Sequence, residues 1–64
     1  MTRKDYIAVG LAISEVEDAD QREKFVSIMV DVFTRDNERF DADRFIDFVQ
    51  TERWAIELKR EGKL

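Results

Sequence analysis

The sixteen residues from Phe33 to Phe48, F-T-R-D-N-E-R-F-D-A-D-R-F-I-D-F, constrain the fold more than any other part of the chain. They hold the end of one amphipathic helix, a polar turn and the start of another. Phe40 stands immediately before Asp41 and Phe45 lies four positions after it, the spacing at which a residue ahead of a helix cap staples onto the first turn. Such a staple sets the entry angle of the last helix, so the phenylalanines are expected where the two helices meet.

The rest of the chain supplies one more helix and extends these two. Thr2 and Asp5 match the capping pair in which a hydroxyl and an acidic side chain satisfy the free amides of a helix start, and Met1 with Tyr6 has the staple spacing. A helix over about 3–16 follows, with Tyr6, Val9, Ile13 and Val16 at helical spacing and Ile7 and Leu11 widening the stripe. Gly10 interrupts this face at a propensity cost of about 1 kcal/mol relative to alanine. That points to another backbone packing closely there. The connection E-D-A-D-Q-R-E-K is polar and offers Asp18 with Gln21, or Asp20 with Glu23, as caps of a second helix over about 20–36. Its expected apolar face is Phe25, Ile28, Met29, Val32 and Phe33, joined by Val26 and Val30. Arg35 suits the negative end of this helix, and Asn37 tolerates the left-handed conformation that ends helices lacking a glycine.

Asp41 caps a third helix over about 42–60, with Phe45, Ile46, Phe48 and Val49 on its buried side. Continued at about one hundred degrees per residue, Ile56 returns to that side, while Trp54 and Leu58 fall almost opposite. No proline or glycine enforces a break between Asp41 and Gly62. A continuous or slightly bent helix is therefore expected, with Trp54 and Leu58 as an exposed apolar stripe; a tail that folds back near Gln50 and Thr51 is the alternative. Repeats and alternating strand-like runs are lacking. The expected architecture is all-α, a small three-helix domain spanning residues 1–64 with the third helix long or bent.

Size and composition narrow the function. A 64-residue chain buries only about 60% of the surface it exposes when unfolded, so its stability is modest or borrowed from a partner. Without cysteine there is no disulfide or thiolate metal site, and without histidine the commonest general base, metal ligand and pH switch are all absent. The opening M-T-R-K-D-Y lacks the apolar run of a signal peptide and no later stretch has the length of a membrane span, which points to the cytosol. Net charge is −4, so the molecule as a whole does not attract nucleic acid or anionic lipid. The charge is uneven: Arg3 and Lys4 open the chain, Lys59, Arg60 and Lys63 close it, and Glu15, Glu17, Asp18 and Asp20 form an acidic patch in one connection.

Asp36, Asn37, Asp41 and Asp43 lack the alternating ligands, central glycine and terminal glutamate of a calcium loop, and act more simply as caps and solvated acids. Ser14 and Ser27 have no histidine to activate them, and three short helices rarely enclose a cleft in which acid pairs do hydrolytic work. A non-enzyme without cofactor or metal is expected. A helix-turn-helix reading places the third helix in the DNA major groove, yet that helix carries Asp43, Asp47, Glu52 and Glu57 beside Arg44 and Arg53, and those acids repel phosphate. Protein binding remains, with Trp54 and Leu58 as anchors flanked by Arg53, Glu57 and Lys59, because aromatic and arginine side chains dominate interface hot spots. The occupant is another protein, or a second copy of the chain in a homodimer. Two alternatives stand beside it: an acidic, nucleic-acid-mimicking inhibitor of a defence or transcription protein, and direct DNA binding through Arg3, Lys4 and the Lys59 to Lys63 tail.

The opening M-T-R-K-D-Y, together with D-V-F-T-R-D-N-E-R-F-D-A-D-R-F in the middle, resembles a group of small proteins encoded by bacteriophages and prophages, which pair x-R-K-D-Y with F-x-x-D-N-x-R-F-D-x-x-R-F. The resemblance covers residues 1 to about 49. It implies a phage-encoded accessory protein acting in the cytoplasm of an infected bacterium, in host takeover or inhibition, and carries no catalytic or binding residue with it. Glu38 stands where the group often has proline, and the group often ends soon after the final phenylalanine helix. Trp54 and Leu58 lie outside the resemblance.

Overall fold

The computed structural model describes residues 2–62 and folds them into three helices: α1 (Arg3–Ser14), α2 (Ala19–Asp36) and α3 (Ala42–Arg60). The staple partner Met1 and the basic Lys63 lie outside the described residues. Among the described residues there is no strand. The domain is small and all-α, and α3, the longest helix, runs without a break through Gln50 and Thr51.

An acid accepts an amide at each helix start, as the N-cap in α2 and α3 and from within the first turn in α1, whose N-cap is Thr2. The Thr2 amide donates to Asp5 Oδ2 at 2.9 Å, Asp18 Oδ1 accepts from the Asp20 amide at 3.1 Å, and Asp41 Oδ1 accepts from the Arg44 amide at 3.0 Å. The ends differ from expectation. α1 stops two residues early because the Ser14 hydroxyl donates to the Leu11 carbonyl at 2.6 Å, and the Glu15 and Val16 amides reach back only three residues, to Ala12 and Ile13. Asn37 is extended (φ −147°, ψ 110°) rather than left-handed. Its side-chain oxygen accepts from the Arg39 amide at 3.0 Å and its carbonyl from the Phe40 amide at 2.9 Å, a local turn that ends α2 without a positive φ.

The core is Ile13, Phe33, Phe45 and Val49, with Phe33 fully enclosed. Phe33 sits with its ring centroid 4.7 Å from Tyr6, 5.2 Å from Phe40 and 5.4 Å from Phe45, and Phe40 lies 5.7 Å from Phe45. The expected staple is thus one edge of an aromatic cluster that joins all three helices. Tilted and edge-on ring pairs of this kind add about 0.5–1.5 kcal/mol each beyond their buried area.

Two helix faces are rotated from the expected ones. α1 packs through Tyr6, Val9, Gly10, Ile13 and Ser14, leaving Ile7 and Leu11 exposed. A Cβ on Gly10 would lie 2.7 Å and 2.8 Å from Cε2 and Cδ2 of Phe48, so an aromatic ring, not a backbone, fills the space that glycine leaves. α2 faces inward with Val26, Met29, Val30 and Phe33, and exposes Phe25, Ile28 and Val32. Apolar residues surround most of that helix, so periodicity alone does not choose a face. Phe33 in the aromatic cluster and Arg22, whose Nη1 donates to the Val16 carbonyl at 2.7 Å, hold the rotation at either end.

Candidate partner-binding surface

α3 carries two kinds of side chain in alternate registers. Phe45, Val49 and Arg53 follow one another at four-residue steps on the buried side, while Ile46, expected on that side, is exposed together with Trp54 and Leu58, Trp54 to 55% and Leu58 to 39%. A tryptophan and a leucine one turn apart therefore stand on a continuous helix with their apolar surface in water. Trp54 and Ile46 also line an open groove of about 390 Å³ between α2 and α3, whose other walls include Ala19, Glu23, Val26 and Val49.

Arg53 lines this groove beside Trp54, but its guanidinium is engaged within the fold. It is only 6% exposed, and its guanidinium works inward: Nη1 donates to the carbonyls of Ser14 at 3.2 Å and Val16 at 3.3 Å, Nη2 to Glu17 Oε2 at 3.2 Å, and Nε to Glu57 Oε1 at 3.0 Å. The carbonyls at the end of α1 have no intrahelical partners and lie at the negative end of its dipole, so a cation from α3 is the group they require. Glu57, expected beside the anchors, is occupied in holding this arginine. A positional signal was present, since Arg53 continues the buried Phe45–Val49 row. An arginine on a buried row is itself the sign of an inward-facing charge with several acceptors.

The acidic connection is similarly engaged. Glu17 receives both Arg53 and Arg60, with Arg60 Nη1 at 2.7 Å from Oε2 and Arg60 Nη2 bonded to Oε1. Arg60 first, and then Arg53, hold the Glu17 carboxyl down to about 2, and the same contacts raise Arg60 and Arg53; for Arg53 the Glu57 contact contributes most. Asp18 is the cap of α2. Of the four acids grouped in the sequence, Glu15 and Asp20 keep their carboxylates outside these contacts. Among the described residues no three carboxylates are placed to hold a metal ion, and no helix is long and apolar enough to cross a membrane.

No protein-family model, curated protein or solved structure matches this chain.

Proposed function

We propose that the chain is a small helical accessory protein, phage-encoded and acting in the bacterial cytoplasm, that works by binding a host or phage protein through the outer face of α3. The exposed pair Trp54 and Leu58 carries this reading. Trp is the residue most enriched at interface hot spots, and a helix that is already formed loses little entropy when it docks. The groove beside Trp54 gives a partner side chain a place to enter. The acidic-mimic alternative draws less support, because Glu17 and Asp18 are engaged within the fold.

The test is the double substitution Trp54→Ala with Leu58→Ala in a tagged protein expressed in its host. Loss of a partner that the unmodified protein captures, with the helical circular dichroism unchanged, supports the reading. Equal capture by both proteins overturns it. Sedimentation over a range of concentrations identifies the occupant: self-association that the double substitution abolishes makes it a second copy of the chain.

A further inference from the structure

A second cavity, of about 450 Å³, opens where the first turn of α1, the α2–α3 turn and the first turn of α3 converge. It shares no lining residue with the groove beside Trp54. Arg3, Arg39 and Arg44 line it, one from each of these segments, over a wall that includes Tyr6, Phe45 and Phe48.

Charge makes this cavity unusual within the molecule. The chain has 15 acidic against 11 basic side chains, yet none of the guanidinium groups of Arg3, Arg39 and Arg44 has an ion-pair or hydrogen-bond partner among the described residues. Asp41, the carboxylate on the same lining, spends one oxygen on the Arg44 amide as the α3 cap. Arg22, Arg35, Arg53 and Arg60 are by contrast each bonded to an oxygen of the protein. Tyr6 shares this lining, and its hydroxyl is buried and has no hydrogen-bond partner among the described residues. A buried donor without an acceptor is costly, and bonding to a bound group would relieve that cost.

We propose that this cavity is a binding site for a small aromatic anion, a planar ring carrying one phosphate or carboxylate. Guanidinium forks match the oxygens of either group bidentately, the aromatic wall receives the ring, and the Tyr6 hydroxyl supplies one further donor. The volume lies in the range of small-ligand pockets, roughly 300–1,000 Å³. An extended polyanion is disfavoured, because Asp43 and Asp47 follow on α3 and the net charge is −4.

The experiment is a titration of the isotope-labelled protein with phenyl phosphate, inorganic phosphate and phenol, followed by amide chemical shifts. Saturable shifts of Arg3, Arg39, Arg44 and Phe45 with phenyl phosphate, and much weaker ones with either fragment, are expected. Arg39→Ala with Arg44→Ala weakens that binding by roughly tenfold or more. Tyr6→Phe weakens it by a smaller factor and leaves the free protein folded. Absence of saturation at about 10 mM phenyl phosphate, a Kd corresponding to less than about 3 kcal/mol, overturns the proposal. So does equal binding of inorganic phosphate, since the aromatic wall is then unused, or, with a single-stranded oligonucleotide as a fourth titrant, binding of it far tighter than of phenyl phosphate.

Discussion

The Arg53 guanidinium donates to the Ser14 carbonyl at 3.2 Å across a sequence separation of 39 residues. With its further bonds to Val16 and Glu17, one side chain of α3 closes the end of α1 and fixes where the acidic connection departs. Ser14 is itself almost wholly buried, so its carbonyl has no access to bulk water as a substitute partner. Arg53→Met keeps the apolar stem and removes every donor. It is expected to lower Tm by roughly 10 °C, measured by thermal unfolding at neutral pH. Arg53→Lys recovers only a minor part, because one ammonium does not reproduce a fork that serves four acceptors.

Glu17 links the same network to pH. Its carboxyl is held at about 2, against an ordinary value of 4.5, by Arg60 and Arg53. A carboxyl whose pKa is lowered by folding binds its proton more readily in the unfolded chain, so its contribution is complete above about 4.5 and disappears as pH falls towards 2. The stability difference between the unmodified protein and Glu17→Gln should therefore be constant from neutral pH down to about 5 and vanish near 2, read by urea unfolding at a series of pH values. Added salt should shrink the difference, since the pair is largely exposed. A difference that persists undiminished at pH 2 rejects the assignment.

Features determined by neighbours along the chain could be read in advance, and those determined across it could not. Asp41 as a cap, Asp18 as one of two candidate caps, Phe40 with Phe45 as a staple, and Trp54 with Leu58 as an outward stripe all follow from spacing within one or two turns. The spacing of Arg53 from Phe45 and Val49 puts it on the buried row, but its acceptors are carbonyls at the end of another helix, and no local pattern displays a carbonyl. The face of α2 was ambiguous because Phe25, Val26, Ile28, Met29, Val30, Val32 and Phe33 wrap most of its circumference. Gly10 announced a close approach, but its identity as an approach by the Phe48 ring needed the tertiary fold. Of the arginines lining the second cavity, Arg39 and Arg44 are close in sequence, but Arg3 joins them only through the packing of α1 on α3.

Gly10→Ala tests that approach. Helix propensity alone favours alanine by about 1 kcal/mol. The new methyl, however, would meet the Phe48 ring at 2.7 Å, and the ring has Phe45 beside it, with Cε1 at 3.4 Å from the same point. Displacing a packed ring costs about 1–3 kcal/mol, so the net effect is expected to be destabilising. Phe48→Leu combined with Gly10→Ala should be less destabilising than the two single changes added together, a coupling that a double-mutant cycle in urea measures directly.

Trp54→Ala and Leu58→Ala should each leave stability within about 0.5–1 kcal/mol of the original, in contrast to Arg53→Met on the same helix. Trp54 is more than half exposed, and Leu58 is exposed as well. A loss of several kcal/mol at Trp54 would mean that the indole closes the α2–α3 groove as part of the core, and the outer face of α3 would then no longer be a free surface. Thermal unfolding of the single variants separates these outcomes before any partner is sought.

Tyr6→Phe discriminates between two roles of one hydroxyl. The Tyr6 ring contributes to the cluster around Phe33 and Phe40, at 4.7 Å and 5.0 Å, and phenylalanine preserves those contacts. The hydroxyl makes no hydrogen bond among the described residues although it is buried, so the folded protein loses nothing specific with it. Removing a desolvated and unpaired polar group is expected to be neutral or stabilising, by up to about 1 kcal/mol. The packing of the cluster thus does not require the hydroxyl, since phenylalanine makes the same ring contacts. If Tm instead falls on substitution, the hydroxyl is paired in the folded protein and is not the free donor that the second cavity requires. If Tm holds or rises while phenyl phosphate binding weakens, the hydroxyl acts on the bound anion, and fold and ligand then place opposite demands on the same atom.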